Sequence, residues 1–124
     1  MRVVVMENTE ENLLCVKNCL HQLLPNGIVK GFTDGNQAKN WCEEHSDEVE
    51  LFIGNWWGAE EMTNGPEGAN IAAIVKWQRK PKVILCGDEE MFRAWSEKSG
   101  AVDYLLRPIT IEKLRDTLEA MDIS

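Results

Sequence analysis

The sequence is short of basic residues, histidine and tyrosine, and it holds no long apolar run. Its 124 residues contain 13 Lys+Arg against 21 Asp+Glu, a formal net charge of −8, with two histidines and one tyrosine. Nucleic-acid surfaces neutralise phosphates with a basic excess, so this balance argues against direct nucleic-acid binding. The same deficit argues against an anionic membrane surface. No apolar stretch approaches the roughly 18–20 residues of a membrane span. Met1 leads straight into Arg2-Val3-Val4-Val5, without the segments of a signal peptide, so a cytoplasmic location is expected. Cysteine is present but sparsely placed: Cys15, Cys19, Cys42 and Cys86 form no CxxC pair. Cys15 and Cys19, with His21 or His45, make one loose ligand pair where structural zinc wants two tight ones. Reduced thiols packed as small hydrophobes are the expectation.

What is present is regular alternation. Short apolar runs at Arg2–Met6, Ile28–Phe32, Leu51–Gly54, Val83–Cys86 and Val102–Leu106 read as five strands. Amphipathic stretches separate them. Leu13, Val16, Leu20, Leu23 and Leu24 fall at helical spacing after Asn8, which with Glu11 resembles a capping box. Ala38, Trp41 and Cys42 mark a second helix opened by Asp34-Gly35, and Ile71, Ile74, Val75 and Gln78 a third. Gly87-Asp88 is read as the start of a fourth helix carrying Met91, Phe92 and Trp95. Ile111, Leu114, Leu118 and Met121 line a fifth. Five β-α units in strict alternation imply one domain over residues 1–124, a parallel sheet covered by helices on both faces. Function in such sheets gathers at the carboxyl ends of the strands, here Met6, Glu7, Asn55, Cys86 and Arg107. The turn after the first strand, Met6-Glu7-Asn8-Thr9-Glu10-Glu11, lacks glycine and is acidic, which excludes a dinucleotide-binding loop. No Gly-Lys-Ser/Thr loop exists, and neither histidine falls at a strand end to build a nucleophilic triad.

The segment Ser99-Gly100-Ala101-Val102-Asp103-Tyr104-Leu105-Leu106-Arg107-Pro108-Ile109 resembles the Gly-Ala-x-Asp-Tyr-Leu-x-Lys-Pro-Phe segment of bacterial response-regulator receiver domains. Pro81-Lys82-Val83-Ile84-Leu85-Cys86-Gly87, Glu50-Leu51-Phe52-Ile53-Gly54-Asn55 and Glu67-Gly68 followed by Val75-Lys76 resemble other parts of the same family, in the right order. The resemblance spans essentially the whole chain. It implies a three-layer, doubly wound five-stranded sheet of order 2-1-3-4-5, the flavodoxin-like or CheY-like fold, and a place in two-component (phosphorelay) signal transduction. The family's chemistry is phosphoryl transfer to an aspartate, with Mg²⁺ held by carboxylates and the phosphoryl group gripped by a hydroxyl and a lysine.

At nearly every one of those positions the sequence departs, Glu7 being the one site carboxylate that remains. Met6-Glu7 stands for the acidic pair, and a thioether is a poor Mg²⁺ ligand. Asn55 stands for the phosphoacceptor, and a carboxamide is not a competent nucleophile. Cys86 replaces the hydroxyl and Arg107 the lysine. Trp57 matches the position that supplies a backbone carbonyl to the metal, in a loop longer than the family's usual one. The expectation is a pseudo-receiver with no enzymatic activity and weak or absent Mg²⁺ binding. Arg107 and Glu7 should then pair across the crevice, with Asn55 hydrogen-bonded between them, because neither buried charge tolerates isolation. Tyr104 takes the place of the family's switch aromatic. The resemblance implies a protein partner, or a second copy, on a mixed-charge face including Arg93, Lys98, Asp103, Lys113, Arg115 and Glu119. Two alternatives remain at this point: an orthodox Mg²⁺-dependent switch using another carboxylate such as Glu7, and a redox sensor in which Arg107 lowers the pKa of Cys86. Trp56 and Trp57, directly after Asn55, are candidates for a docking point beside the crevice.

Overall fold

Short apolar runs form the middle of the sheet in a computed structural model that describes residues 1–7, 9–45, 47–55, 81–98 and 100–122. The strands are β1 (Arg2–Met6), β2 (Ile28–Phe32), β3 (Leu51–Asn55), β4 (Lys82–Gly87) and β5 (Asp103–Leu106). They pair in parallel in the order β2-β1-β3-β4-β5, as the resemblance implies. All of β3 is buried, whereas β2 at the edge is largely half-exposed.

Side chains alternate across the sheet and build a core on each face. Val3, Val5, Ile53 and Ile84 pack with Leu13, Val16, Leu20, Leu114 and Leu118. These come from α1 (Glu10–Leu23) and from α4 (Ile111–Ala120). Val4, Met6, Phe52, Val83 and Leu85 pack on the other face with Ala38 and Cys42 of α2 (Gly35–Glu44) and with Tyr104. The predicted third helix, the loop before it and Trp56, Trp57 and Trp77 lie outside the described residues.

Two local expectations are corrected. The first helix is capped by Thr9, not Asn8: Thr9 Oγ1 accepts the N–H of Asn12 at 3.1 Å, satisfying one of the orphan donors of the first turn. The fourth helical segment does not start at Gly87-Asp88. Strand β4 runs through Gly87, a 3₁₀ turn follows at Glu90–Phe92, and α3 spans only Arg93–Lys98. The tighter turn shifts the phase of the apolar residues, so Phe92 packs on the core while Met91 is exposed. Asp34 and Thr110 cap α2 and α4, Asp34 Oδ1 accepting from Asn36 at 2.8 Å and Gln37 at 3.2 Å. No described helix is long and apolar enough to cross a membrane.

Candidate site at the carboxyl ends of the strands

The parallel sheet brings the ends of β1, β3, β4 and β5 together, and with them the residues singled out from the sequence. Met6 is buried, and its side chain belongs to the α2-side core with Val4, Phe52 and Leu85, so it serves packing. Glu7, one residue on, is fully buried, and its N–H donates to the Phe32 carbonyl at 3.0 Å, extending the β1–β2 ladder. Asn55 closes β3, fully buried, in register with the equally buried Cys86. Arg107 follows β5; its N–H donates to the Gly87 carbonyl at 2.8 Å, and the peptide to Pro108 is cis. Trp57 lies outside the described residues.

Arg107 and Glu7 do pair. Arg107 Nη2 donates directly to Glu7 Oε1, with the guanidinium side chain 10% exposed and the carboxylate 0%. Arg107 Nη1 also lies 3.4 Å from Asp88 Oδ1. The sequence reading did not find Asp88, because it placed that residue in a helix start rather than in a loop folded over the crevice. Burial alone would lower the pKa of Arg107, but Glu7, aided by Cys86 and Asp88, outweighs it and raises it. The guanidinium is therefore a fixed positive charge. A cleft of about 440 Å³ opens beside the pair, lined by Glu11, Asn12, Cys15, Asp88 and Ile109 among others.

The side chains do not suit Mg²⁺. The cation needs several hard oxygen ligands in near-octahedral array. Here the buried carboxylate is engaged by a guanidinium, whose charge repels a second cation. Met6 is turned into the core, and among the described residues no group of three or more His, Cys, Asp or Glu could hold a metal. Cys86 fits the expectation of a packed, reduced thiol rather than the redox alternative. Burial, then the Glu7 charge, push its thiol pKa up, and the opposing effect of Arg107 is the smaller one. A fully buried thiol held neutral is not the reactive thiolate of a redox sensor.

Tyr104 is fully buried in the inward position, and its hydroxyl donates to the Glu89 carbonyl at 2.6 Å. Burial raises its pKa. Gly87 makes the position available: a Cβ there would lie 2.2 Å from Tyr104 Oη. The sequence marks Gly87 only as a helix start and a motif position, and does not mark the Glu89 carbonyl, since their part in holding Tyr104 is set by the packing of β4 against β5. Arg93 covers the ring, its Cζ 5.5 Å from the centroid, and pairs with Glu90 at 2.5 Å and Asp103 at 3.4 Å. Of the expected partner face, Lys113 donates internally to the carbonyls of Leu106 and Pro108, and Asp103 accepts from Thr117 at 2.8 Å. Lys98, Arg115 and Glu119 are exposed.

No family model and no curated protein sequence matches the chain. Solved structures do. A response regulator from Thermotoga maritima superposes with a TM-score of 0.77 at 21% identity, over 97% of this chain and 95% of that one. A response regulator receiver domain from Clostridium thermocellum gives 0.76 at 16% identity, over 96% and 91%. The Vibrio cholerae chemotaxis protein CheY4 gives 0.73 at 16% identity, over 96% of each chain. The class the architecture defines is thus the doubly wound α/β sheet of order 2-1-3-4-5. Within it, the chain has the receiver fold of the response regulators, the CheY-like form.

Proposed function

We propose that this chain is a pseudo-receiver: a signalling module of two-component type that acts through protein contacts and takes no phosphoryl group. The observation that carries this reading is the direct Arg107–Glu7 ion pair at the place where the family keeps its metal and phosphoryl group. A guanidinium there supplies permanently the positive charge that Mg²⁺ supplies transiently. Asn55 removes the nucleophile. The module has no catalytic activity and needs no cofactor. It works in the cytoplasm, and its net charge of −8 leaves nucleic acid as a poor direct partner. Its output passes through a protein partner or a second copy docking near Arg93, Lys98, Arg115 and Glu119, a step that rests on analogy of fold. The engagement of Glu7 by Arg107 weighs against Glu7 as a substitute phosphoacceptor, and the burial of Cys86 weighs against a redox role there.

The test is a Mg²⁺ titration followed by tryptophan fluorescence, since Trp56 and Trp57 directly follow Asn55. Intact mass is then measured after treatment of the same sample with acetyl phosphate. Emission should stay constant at millimolar Mg²⁺ and the mass should not change. A saturable emission change together with one added phosphoryl group would overturn the reading.

A further inference from the structure

The seam between α1 and the segment after β5 carries a second chemical feature, independent of the function proposed above. Cys15 and Cys19 lie one turn apart on α1, the spacing at which helical side chains meet on one face. Cys15 is exposed, lines the 440 Å³ cleft, and its thiol sits 3.5 Å from the Ile109 carbonyl, to which it donates. Cys19 lies just beneath, 9% exposed. Burial raises the Cys19 pKa, with Cys15 and Glu112 of α4 adding to the shift. The remaining thiols, Cys42 and Cys86, are fully buried on α2 and β4.

We propose that Cys15 and Cys19 form a dithiol clamp for trivalent arsenicals. Zinc is the wrong ion, because it wants four ligands and two thiolates, and no group of three such ligands occurs among the described residues. Trivalent arsenic is satisfied by two sulfurs plus one group of its own, and it condenses with neutral thiols. With phenylarsine oxide, two As–S bonds form, the arsenic–oxygen bonding breaks, and the two thiol protons leave with the oxygen as one water. Arsenic stays trivalent and no oxidant is consumed. The exposed Cys15 makes the first bond, and the second closes within the helix onto Cys19. Closure takes Cys15 away from the Ile109 carbonyl, two residues beyond Arg107.

The experiment treats the reduced full chain with phenylarsine oxide under native conditions. Adducts are read by intact mass, then challenged with excess monothiol. The wild type should take one arsenical, retained against monothiol. Because the second bond is intramolecular, Cys15→Ala and Cys19→Ala should each release it on the order of a hundredfold faster. Cys42→Ala and Cys86→Ala should behave as wild type. Cys15 is exposed, so Cys15→Ala tests the clamp without a risk to folding. Equal retention in Cys15→Ala, a wild type that takes no arsenical, or loss of two hydrogens without arsenic (an intrahelical disulfide) would each overturn the proposal.

Discussion

At the scale of single residues, the Arg107–Glu7 pair buries two opposite charges against each other, and its cost and benefit can be separated. Taking both charges out of water is expensive, and the pair is kept because each removes the other's penalty. Removing one partner alone exposes that penalty. Arg107→Ala should therefore lower stability by roughly 3 kcal/mol, while Glu7→Gln combined with Arg107→Met, a pair of uncharged side chains, should recover most of it. Urea denaturation of the wild type and the two variants decides the matter; equal stability of Arg107→Ala and wild type would mean that the pair is not a structural element. The Asp88 contact is different, because Asp88 is 68% exposed at 3.4 Å, and surface pairs contribute little. Gly87 offers a second residue-scale test. A methyl group there meets Tyr104 Oη, so Gly87→Ala should expel the tyrosine or strain β4, at about 1–3 kcal/mol. The chain has a single tyrosine, so fluorotyrosine labelling gives one ¹⁹F resonance that should shift in the variant. Adding Tyr104→Phe, which deletes the colliding oxygen, should restore part of the lost stability. An unmoved resonance at unchanged stability would contradict this account.

At the scale of elements, the agreement between sequence and structure follows the strength of the periodic signal. Strands β1, β3 and β4 read correctly because buried parallel strands are continuous apolar runs. Helices α1 and α4 read correctly because Leu13, Val16 and Leu20, and Leu114 and Leu118, repeat at helical spacing against one core. The segment after β4 misread because its start is fixed by tertiary contacts. The Glu89 carbonyl is held by Tyr104, and a 3₁₀ turn precedes only six helical residues, so Met91 ends up in solvent. The same loop hid Asp88, a site neighbour whose role depends on where the chain crosses rather than on any motif. Asn8 and Thr9 are both good caps, and only the geometry at Asn12 decides between them. That Glu7, Asn55, Cys86 and Arg107 meet at the strand ends was legible from order along the chain, and the Arg107–Glu7 pairing from the cost of isolated buried charge. Caps give the element-scale prediction. Asp34 alone receives two N–H donors of α2, so Asp34→Ala should cost about 1 kcal/mol, and Asp34→Asn, which keeps the acceptor, far less. Parallel denaturation curves with equal midpoints for both variants would show that α2 is held by its packing alone.

At the scale of the whole molecule, the two cores make stability depend on pH through groups that touch no ligand. Cys42, sealed in the α2-side core, has its pKa raised by burial, with a smaller push from Glu43, from 9.0 to about 12. Cys86 and Cys19, in the other core, are raised as well, chiefly by burial. Below about pH 9 these thiols are protonated in both the folded and unfolded chain, and their contribution to stability is fully present. Above it, the unfolded chain releases the protons while the folded chain keeps them. Rising pH then favours unfolding, at a slope of roughly 1.4 kcal/mol per pH unit for each such thiol, until the folded pKa is passed. The net charge of −8 grows more negative over the same range, and general repulsion acts in the same direction. Two variants separate the causes. Cys42→Ala removes one titrating thiol and leaves the surface charge alone, so urea unfolding at about pH 8 and about pH 10, with thiols kept reduced, should show a shallower loss than wild type. Cys15→Ala removes an exposed thiol whose effect on Cys19 is smaller than that of burial, and should retain most of the wild-type slope. If all three proteins lose stability in parallel, the alkaline sensitivity belongs to the surface charge, and the buried thiols are not its source.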